Sequence, residues 1–372
     1  SPLRRSSGNS SMPSTEFVHL HLHTEYSLLD GACRIGELLD HAQQAGAPAL
    51  AVTEHGNLFS SVIFHDEARK RGVKPILGCE VYVANGSRHA RSGTPGATNN
   101  HLVLLAENLT GYHNLIKLVS AGYTEGFYYK PRVDREILEK YSEGLIVLSG
   151  CPSGEVPQLV AAGRMDDARQ VTDWYRERFD GYFLELMEHG GVPELPAINQ
   201  GLLKLRQDAN LPIVATNDAH YIRREHASLQ DILICIHTNT NVLDEGRLRM
   251  SEDSYYIKSP AEMADLYSEL PDAISNTGAI ADMCDLQLDL SQRLPQYPVP
   301  NDMSADEYLA NLCWEGLKAR LSTVGEVENK RLSYELEVVK KTQFANYFLV
   351  VWDIAQFVRR RQIYLAVRGS AA

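Results

Sequence analysis

Positive charge is scarce: 36 lysines and arginines face 48 aspartates and glutamates, leaving the 372-residue chain at a net charge of −12. Holding nucleic acid by neutralising phosphates needs a strongly basic face, so any such contact here must be local or metal-assisted. Cysteine is thin as well. Cys33, Cys79, Cys151, Cys235, Cys284 and Cys313 show no C-x-x-C spacing and no dense framework, which excludes a disulfide scaffold and implies reduced thiols in a cytoplasmic compartment. No apolar run reaches the length of a membrane span and no charged-then-apolar leader opens the chain, so no membrane association is expected. Residues 1–15, "SPLRRSSGNSSMPST", have little to bury and read as a disordered leader. An apolar content of 44% still allows a sizeable core spread over about two to three domains.

What the chain does have begins at "HLHLHT", residues 19–24. In a β-strand successive side chains alternate, so His19, His21 and His23 are expected on one face and Val18, Leu20 and Leu22 on the other. Imidazole is the commonest metal ligand, and histidines at i, i+2 on a strand can close on one ion. A half-exposed strand that happens to carry histidine is the plain alternative. Three in register followed by "TEYSLLDG" favour metal binding.

Seven apolar runs of strand length recur in the first 220 residues: "FVHLHL", "PALAVT", "PILGCEVYV", "HLVLLA", "LIVLS", "YFLELM" and "PIVAT". Between most of them lie helical spacings, as in "IGELLDHAQQAG" and "ARQVTDWYRERF". Strand then helix, repeated, argues for a parallel sheet of βα units, and seven units predict an irregular TIM-like barrel. Active sites of such barrels gather at the C-terminal strand ends. His21 and His23 end the first run, Asp30 lies in its loop, Glu54 and His55 follow the second, and Glu80 lies in the third. Cys151 follows the fifth, Asp218 and His220 follow the seventh, and His101 opens its run instead of closing it.

Without Glu54, these residues supply nine candidate ligands: His21, His23, Asp30, His55, Glu80, His101, Cys151, Asp218 and His220. One ion takes about four, so the number suits two or three metals. Mixed N, O and S donors suit Zn²⁺, Mn²⁺ or Fe²⁺ better than Ca²⁺ or Mg²⁺. Clustered divalent ions are suited to phosphoester hydrolysis, and they bind a phosphate that an acidic surface repels. A rival reading makes Cys151 a thiol nucleophile; the surrounding imidazoles and carboxylates favour a ligand. His189, in "LMEHGG", follows a strand end and is placed to touch substrate.

"HLHLHT", "AVTEHGN", "GCEVYV", "SGCPSG" and "TNDAHY", in that order, resemble the polymerase-and-histidinol-phosphatase (PHP) family. "HTEYSLLDGA", "KPILGCEVYVA", "SGCPSGEV", "YFLELMEHG" and "SEDSYYIKSPAEM" narrow the resemblance to the alpha subunits of bacterial DNA polymerase III, over residues 17–372. The resemblance implies a distorted seven-stranded barrel with a trinuclear metal site. It places the nine ligands on the residues counted above, with His21, His23, Asp218 and His220 as catalytic residues. It also implies a replicative DNA polymerase whose barrel, in some members, is a 3′-to-5′ proofreading exonuclease. Small-molecule phosphatases share barrel and metals, and a non-catalytic docking barrel is the alternative of another class. Two positions depart from the family. Glu54 replaces the usual aspartate and receives no firm role, and His237 stands where glutamine is usual and is read as unrelated to metals.

The expected division is a leader at 1–15, a barrel at 16–285, and a linker with the start of a polymerase palm at 286–372. "LPQYPVP" reads as the linker, and two helical stretches follow, "SADEYLANLCWEGLKARL" and "NKRLSYELEVVKKTQFANYFLVVWDIAQFVRRR". By resemblance, Arg368, Gly369 and Ser370 match a loop that holds the incoming nucleotide, although Leu365, Ala366 and Val367 replace its flexible Gly-Pro-Gly. The carboxylates for catalytic Mg²⁺ lie beyond the end of this sequence in relatives, so it is expected to be a fragment unable to extend a primer. The implied partners are primer-template DNA, dNTP, and a sliding clamp and clamp loader recruited through further regions. Arg359, Arg360 and Arg361 form a basic patch that either contacts DNA or solvates a helix end.

Overall fold

Long apolar stretches bury best as strands of a sheet covered on both faces, and six of the seven runs become ladder strands. The computed structural model describes residues 17–91, 99–291, 294–300 and 303–366. The expected leader at 1–15, and Arg368, Gly369 and Ser370, lie outside the described residues. Strands are β1 (Ala49–His55), β2 (Lys74–Val83), β3 (Asn100–Ala106), β4 (Arg132–Val133), β5 (Leu145–Leu148), β6 (Gly181–Leu186) and β7 (Ile213–Ala215). Helices of the same unit are α1 (Ile35–Gln44), α2 (Ser61–Lys70), α3 (Leu109–Thr124), α4 (Arg135–Lys140), α5 (Glu155–Ala161), α6 (Met165–Arg176), α7 (Leu195–Ala209), α8 (Ala227–Thr238), α9 (Pro260–Leu266) and α10 (Pro271–Met283). Among the described residues no helix is long and apolar enough to cross a membrane.

The strands hydrogen-bond in the order β1-β2-β3-β5-β6-β7, with β4 beside β2. Residues 17–24 join the two edges. Ala51 N donates to His19 O and Thr53 N to Leu22 O on the β1 side, while His23 N donates to Ala219 O and Ala219 N to His21 O beyond β7. The result is a distorted α/β barrel, as expected, with one departure from an all-parallel sheet. β3 runs antiparallel to both β2 and β5.

The opening segment also departs from expectation. Carbonyls of His19 and Leu22, three residues apart, both face β1, whereas an unbroken strand repeats every two. The chain slips by one residue at His21. Below the slip, Val18 and Leu20 point into the barrel, with Ala49, Ala51, Ile76, Val103, Leu105, Ile146, Leu148 and Val214. Above it, His21 and His23 point inward, and Leu22 joins the outer layer between sheet and helices. His19 is therefore separated from the other two histidines. It packs edge-on against Phe17, and its Nε2 lies 2.9 Å from Lys258 O.

The inward residues of each strand change from apolar to polar toward one end. Ala49 and Ala51 lead to Thr53, Ile76 to Glu80, Phe183 to Glu185, and Val214 to Thr216. Because β3 runs the other way, Val103 and Leu105 lead back to His101 at the same end. At Gly78 a Cβ would fall 2.6 Å from Leu104 O and 2.7 Å from Leu105 Cδ2, so the barrel fills this layer with leucine only because Gly78 has no side chain. Ile280, Ala281 and Cys284, at the end of α10, join the apolar interior, and Lys74 Nζ, at the start of β2, donates to Ala281 O.

The chain divides into two compact units between Leu288 and Asp289. The second contains α11 (Ala305–Arg320), α12 (Glu326–Lys341) and α13 (Ala345–Arg360) around Leu309, Ala345 and Leu349. The second of the two expected helical stretches is thus two helices. Gln343, at φ +61, leaves helical geometry between them. Arg359 and Arg360 close α13 and Arg361 follows it, all three exposed.

Candidate metal centre

Glu80 is the hub at the polar end of the barrel. It is 1% exposed. Its Oε1 lies 2.8 Å from His101 Nδ1, 3.4 Å from His21 Nε2 and 3.6 Å from Cys151 Sγ. Its Oε2 lies 2.6 Å from His55 Nδ1 and 3.8 Å from His23 Nε2. Asp218 Oδ1 sits 3.1 Å from His23 Nε2 and 3.4 Å from His21 Nε2, and Asp30 bridges His55 Nε2 at 3.2 Å and His220 Nε2 at 3.7 Å. All nine candidate ligands therefore converge. Three overlapping groups have ligand atoms within 4.8 Å of one another: His23, His55 and His220; His21, His23 and Glu80; and Glu80, His101 and Cys151. His237 lies on α8 and belongs to none of them.

His101 joins because β3 is antiparallel: its first residues lie where the parallel strands end, with Tyr82 opposite His101 in the ladder. Asp218 reaches inward from a turn at φ +45, a left-handed conformation that aspartate tolerates better than most residues. Its carbonyl oxygen lies 2.7 Å from His220 Nδ1.

Outer partners set the tautomers. Ser27 Oγ donates to Glu54 Oε2 at 2.6 Å, so it can only accept from His23 Nδ1, 3.0 Å away. His23 then carries its proton on Nδ1 and presents a lone pair at Nε2. Glu54 also accepts from the Thr24 backbone N at 3.0 Å and from the Thr24 hydroxyl, tying down the turn that carries Ser27. This gives Glu54 the role that the sequence alone left open. Glu185 does the same for His21, at 2.8 Å from Nδ1, and is itself held by Thr216 Oγ1 at 2.6 Å and Gly150 N at 3.0 Å. Glu185 is a functional residue that the sequence reading missed. Its signal was a carboxylate two residues after Phe183 on the inward face of an apolar strand. Such outer partners typically contribute 10–100-fold to metal affinity. Ser27→Ala and Glu185→Gln are each expected to weaken metal binding by about that factor with the fold retained, read by competition with a chromogenic chelator.

The titrations fit a site built for cations. Burial opposes charge on Asp30, Asp218 and Glu80, yet the neighbouring imidazoles outweigh it and hold all three carboxyls well below the usual range. Burial likewise opposes charge on His21 and His55, but Asp218 and Glu185 raise the first, and Asp30 and Glu80 the second. Burial, with His55 and His220 beside it, pushes His23 down to about 3. Burial, with Glu80 and Asp218, pushes the Cys151 thiol up, as expected of a ligand awaiting a cation and not of an activated nucleophile.

Among the described residues, five buried atoms of the cluster face one another or a neighbouring ligand without an aligned hydrogen bond: His21 Nε2, His23 Nε2, Asp30 Oδ1, Asp218 Oδ1 and His220 Nε2. Buried polar atoms are almost always satisfied, and these five are all competent metal donors, so the residues fit divalent ions. His189 Nε2 is a further buried atom without a hydrogen bond among the described residues, on a ring that shares Tyr255 as a neighbour with His220. His189 Nδ1 meets Ser254 Oγ at 2.6 Å, its ring stacks on Tyr255 at 4.0 Å, and burial and Lys258 push it down to about 4 despite the charge of Asp218.

A PHP domain model matches residues 19–189, and a model of the bacterial DNA polymerase III alpha NTPase domain matches residues 307–372. DNA polymerase III subunit alpha of Borreliella burgdorferi is 42% identical over 96% of this chain and 32% of its own length. That of Treponema pallidum is 41% identical over 97% of this chain and 31% of its own. The chain spans about a third of the length of these curated relatives. A solved structure of a putative metal-dependent phosphoesterase from Bifidobacterium adolescentis shares 15% identity at a TM-score of 0.35, over 55% of this chain and 87% of its own.

Proposed function

We propose, for a chain that carries a PHP domain followed by a bacterial DNA polymerase III alpha segment, that its barrel holds two to three divalent ions and removes nucleotides from a DNA 3′ end. Zn²⁺, Mn²⁺ and Fe²⁺ suit the mixed imidazole, carboxylate and thiol donors. The five buried ligand atoms that face one another without an aligned hydrogen bond carry this reading. When bound, clustered divalent ions polarise a phosphoryl group, activate a water and steady the leaving oxygen. The chain's own residues prepare that chemistry. Glu185 and the Ser27–Glu54 pair bond Nδ1 of His21 and His23 and turn both Nε2 atoms toward the cluster, and Asp218 and His220 complete that side of it. As the polymerase segment implies, the chain would act in bacterial DNA replication in the cytoplasm, on primer-template DNA and with dNTP at a Mg²⁺ site elsewhere in a longer protein. A sliding clamp and clamp loader would be its replisome partners.

His189 is buried and pushed down to about 4, so near neutral pH it is an uncharged imidazole; Ser254 Oγ donates to Glu252 Oε1 at 2.7 Å and so accepts from His189 Nδ1, which leaves Nε2 a lone pair free to accept a proton. His189→Asn is expected to lower kcat about 10²-fold with metal content unchanged, as a lost proton-transfer partner would. Equal loss of metal and activity would make it a structural residue instead.

The deciding experiment incubates the chain with primer-template carrying a mismatched, labelled 3′ end in Mn²⁺ or Zn²⁺, beside a His23→Ala, Asp218→Asn double variant. Stepwise shortening by the parent and none by the variant is expected. If the parent leaves the primer intact with metal bound, the exonuclease is refuted; hydrolysis of small phosphomonoesters would then indicate a phosphatase, and no hydrolysis a docking barrel.

A further inference from the structure

Tyr82 links the metal centre to a loop that the proposed chemistry has not used. Its ring meets His101 edge-on at 5.2 Å and lies nearly parallel to His55 at 6.3 Å. Lys130 Nζ lies over the same ring at 5.2 Å. Pro131 presses on Gly56, next to His55, so closely that a Cβ there would fall 2.8 Å from Pro131 Cγ. Residues 126–131 are thus fixed against the wall of the cluster.

Arg132 anchors that loop from behind. Its guanidinium, 7% exposed, donates to the carbonyls of Gly126 at 3.0 Å, Arg88 at 2.9 Å and Ala90 at 2.7 Å, and it covers the Tyr128 ring at 5.2 Å. On this anchored backbone stand two rings that do not enter the core. Phe127 is 49% exposed and Tyr129 58%. Tyr129 sits at φ +60, a conformation that bulky side chains avoid and that persists only where the surroundings impose it. Tyr123, also exposed, stacks on Phe127 at 6.2 Å with planes 20° apart.

We propose that Tyr129 and Phe127 form a base-stacking platform that receives the last unpaired bases of a single-stranded nucleic acid while its terminal phosphodiester lies at the metal centre. The proposal rests on the phosphoesterase reading above and names the class of substrate. An acidic chain offers a polynucleotide little phosphate neutralisation beyond local or metal-assisted contacts, so further affinity must come from contacts that ignore charge, and aromatic faces stack on any base. Lys130 supplies a cation within this loop, and Glu125, bound by Arg88 at 2.7 Å, the opposing charge. An apolar protein partner would want a larger and drier patch than two rings bordered by such groups. The platform reads no sequence, which suits an enzyme that trims ends.

The test uses a short oligothymidylate with 2-aminopurine at its 3′ end and a phosphorothioate terminal linkage, beside an oligonucleotide of equal length with abasic sugars at its last two positions. The parent is expected to quench 2-aminopurine fluorescence and to bind the base-bearing strand about tenfold more tightly than the abasic one. Tyr129→Leu with Phe127→Leu should remove both the quenching and the preference, and Tyr129→Trp should keep them. Circular dichroism excludes misfolding. An unchanged preference in the double variant overturns the platform, as does a parent that binds both strands equally. Hydrolysis of bis(p-nitrophenyl) phosphate by the parent reports separately on the phosphoesterase reading. Should it fail, the binding arm still decides the platform.

Discussion

Glu80→Gln is expected to strip the barrel of most of its metal and to lower phosphodiester hydrolysis by about 10³-fold or more, since coordinating ions supply several kcal/mol of transition-state stabilisation. Glutamine matches glutamate in size, so the change is one of charge and donor type. Glu80 is the one residue whose two oxygens face donors of all three overlapping groups: His21, His101 and Cys151 at Oε1, His55 and His23 at Oε2. An amide nitrogen in place of either oxygen cannot ligate a cation and turns a donor toward protonated imidazole. Loss should therefore extend beyond a single ion, unlike that from Asp30→Asn, whose carboxylate reaches only His55 and His220. Elemental analysis of the purified variant, together with its hydrolysis rate, checks this. Full metal content with activity intact would remove Glu80 from the centre.

Most of this centre was legible because ligands must be particular residue types, and the strand ends that bear them are punctuated by Gly, Pro and Asn. His101 looked misplaced only under the assumption of a parallel sheet. The stretch from 84 to 99 has no helical spacing, and a strand reached without a crossover helix can run antiparallel, so the signal was present in the sequence. The slip at His21 was not legible. Alternation in "HLHLHT" predicts three histidines on one face, and only pairing on both sides, with β1 and with Ala219, shows which carbonyls face where. Glu54 and Ser27 were hidden for a related reason. Their roles lie in hydrogen bonds between segments 27 residues apart, and neither spacing nor composition encodes such a pairing. The break at Gln343 was equally silent, because glutamine is an ordinary helix former and neither glycine nor proline marks the turn.

Chelation is expected to lower the melting temperature of the barrel by about 10 °C at pH 8 and by about half that at pH 6. An ion present at a thousandfold over its dissociation constant stabilises by about 4 kcal/mol, and a unit of this size shifts roughly 2–4 °C per kcal/mol. The pH trend follows from the protons the ligands hold. His21 and His55 are raised, and Cys151 is pushed up as a thiol, so each must lose a proton to become a ligand, and metal affinity climbs with pH. In the chelated protein the sign is opposite. A histidine with a raised folded pKa stabilises fully below its unfolded value of about 6.5 and loses that contribution as pH rises through the folded value. Loaded stability is chelated stability plus the binding contribution, so that decline is common to both curves and the gap follows metal affinity alone, widening from pH 6 to pH 8. Asp30, Asp218 and Glu80 do not reverse this, since their lowered carboxyls stay ionised throughout that window. Calorimetry with and without chelator measures the gap directly. A gap that stays constant or narrows with pH would mean that the ions are held by groups other than these imidazoles and this thiol.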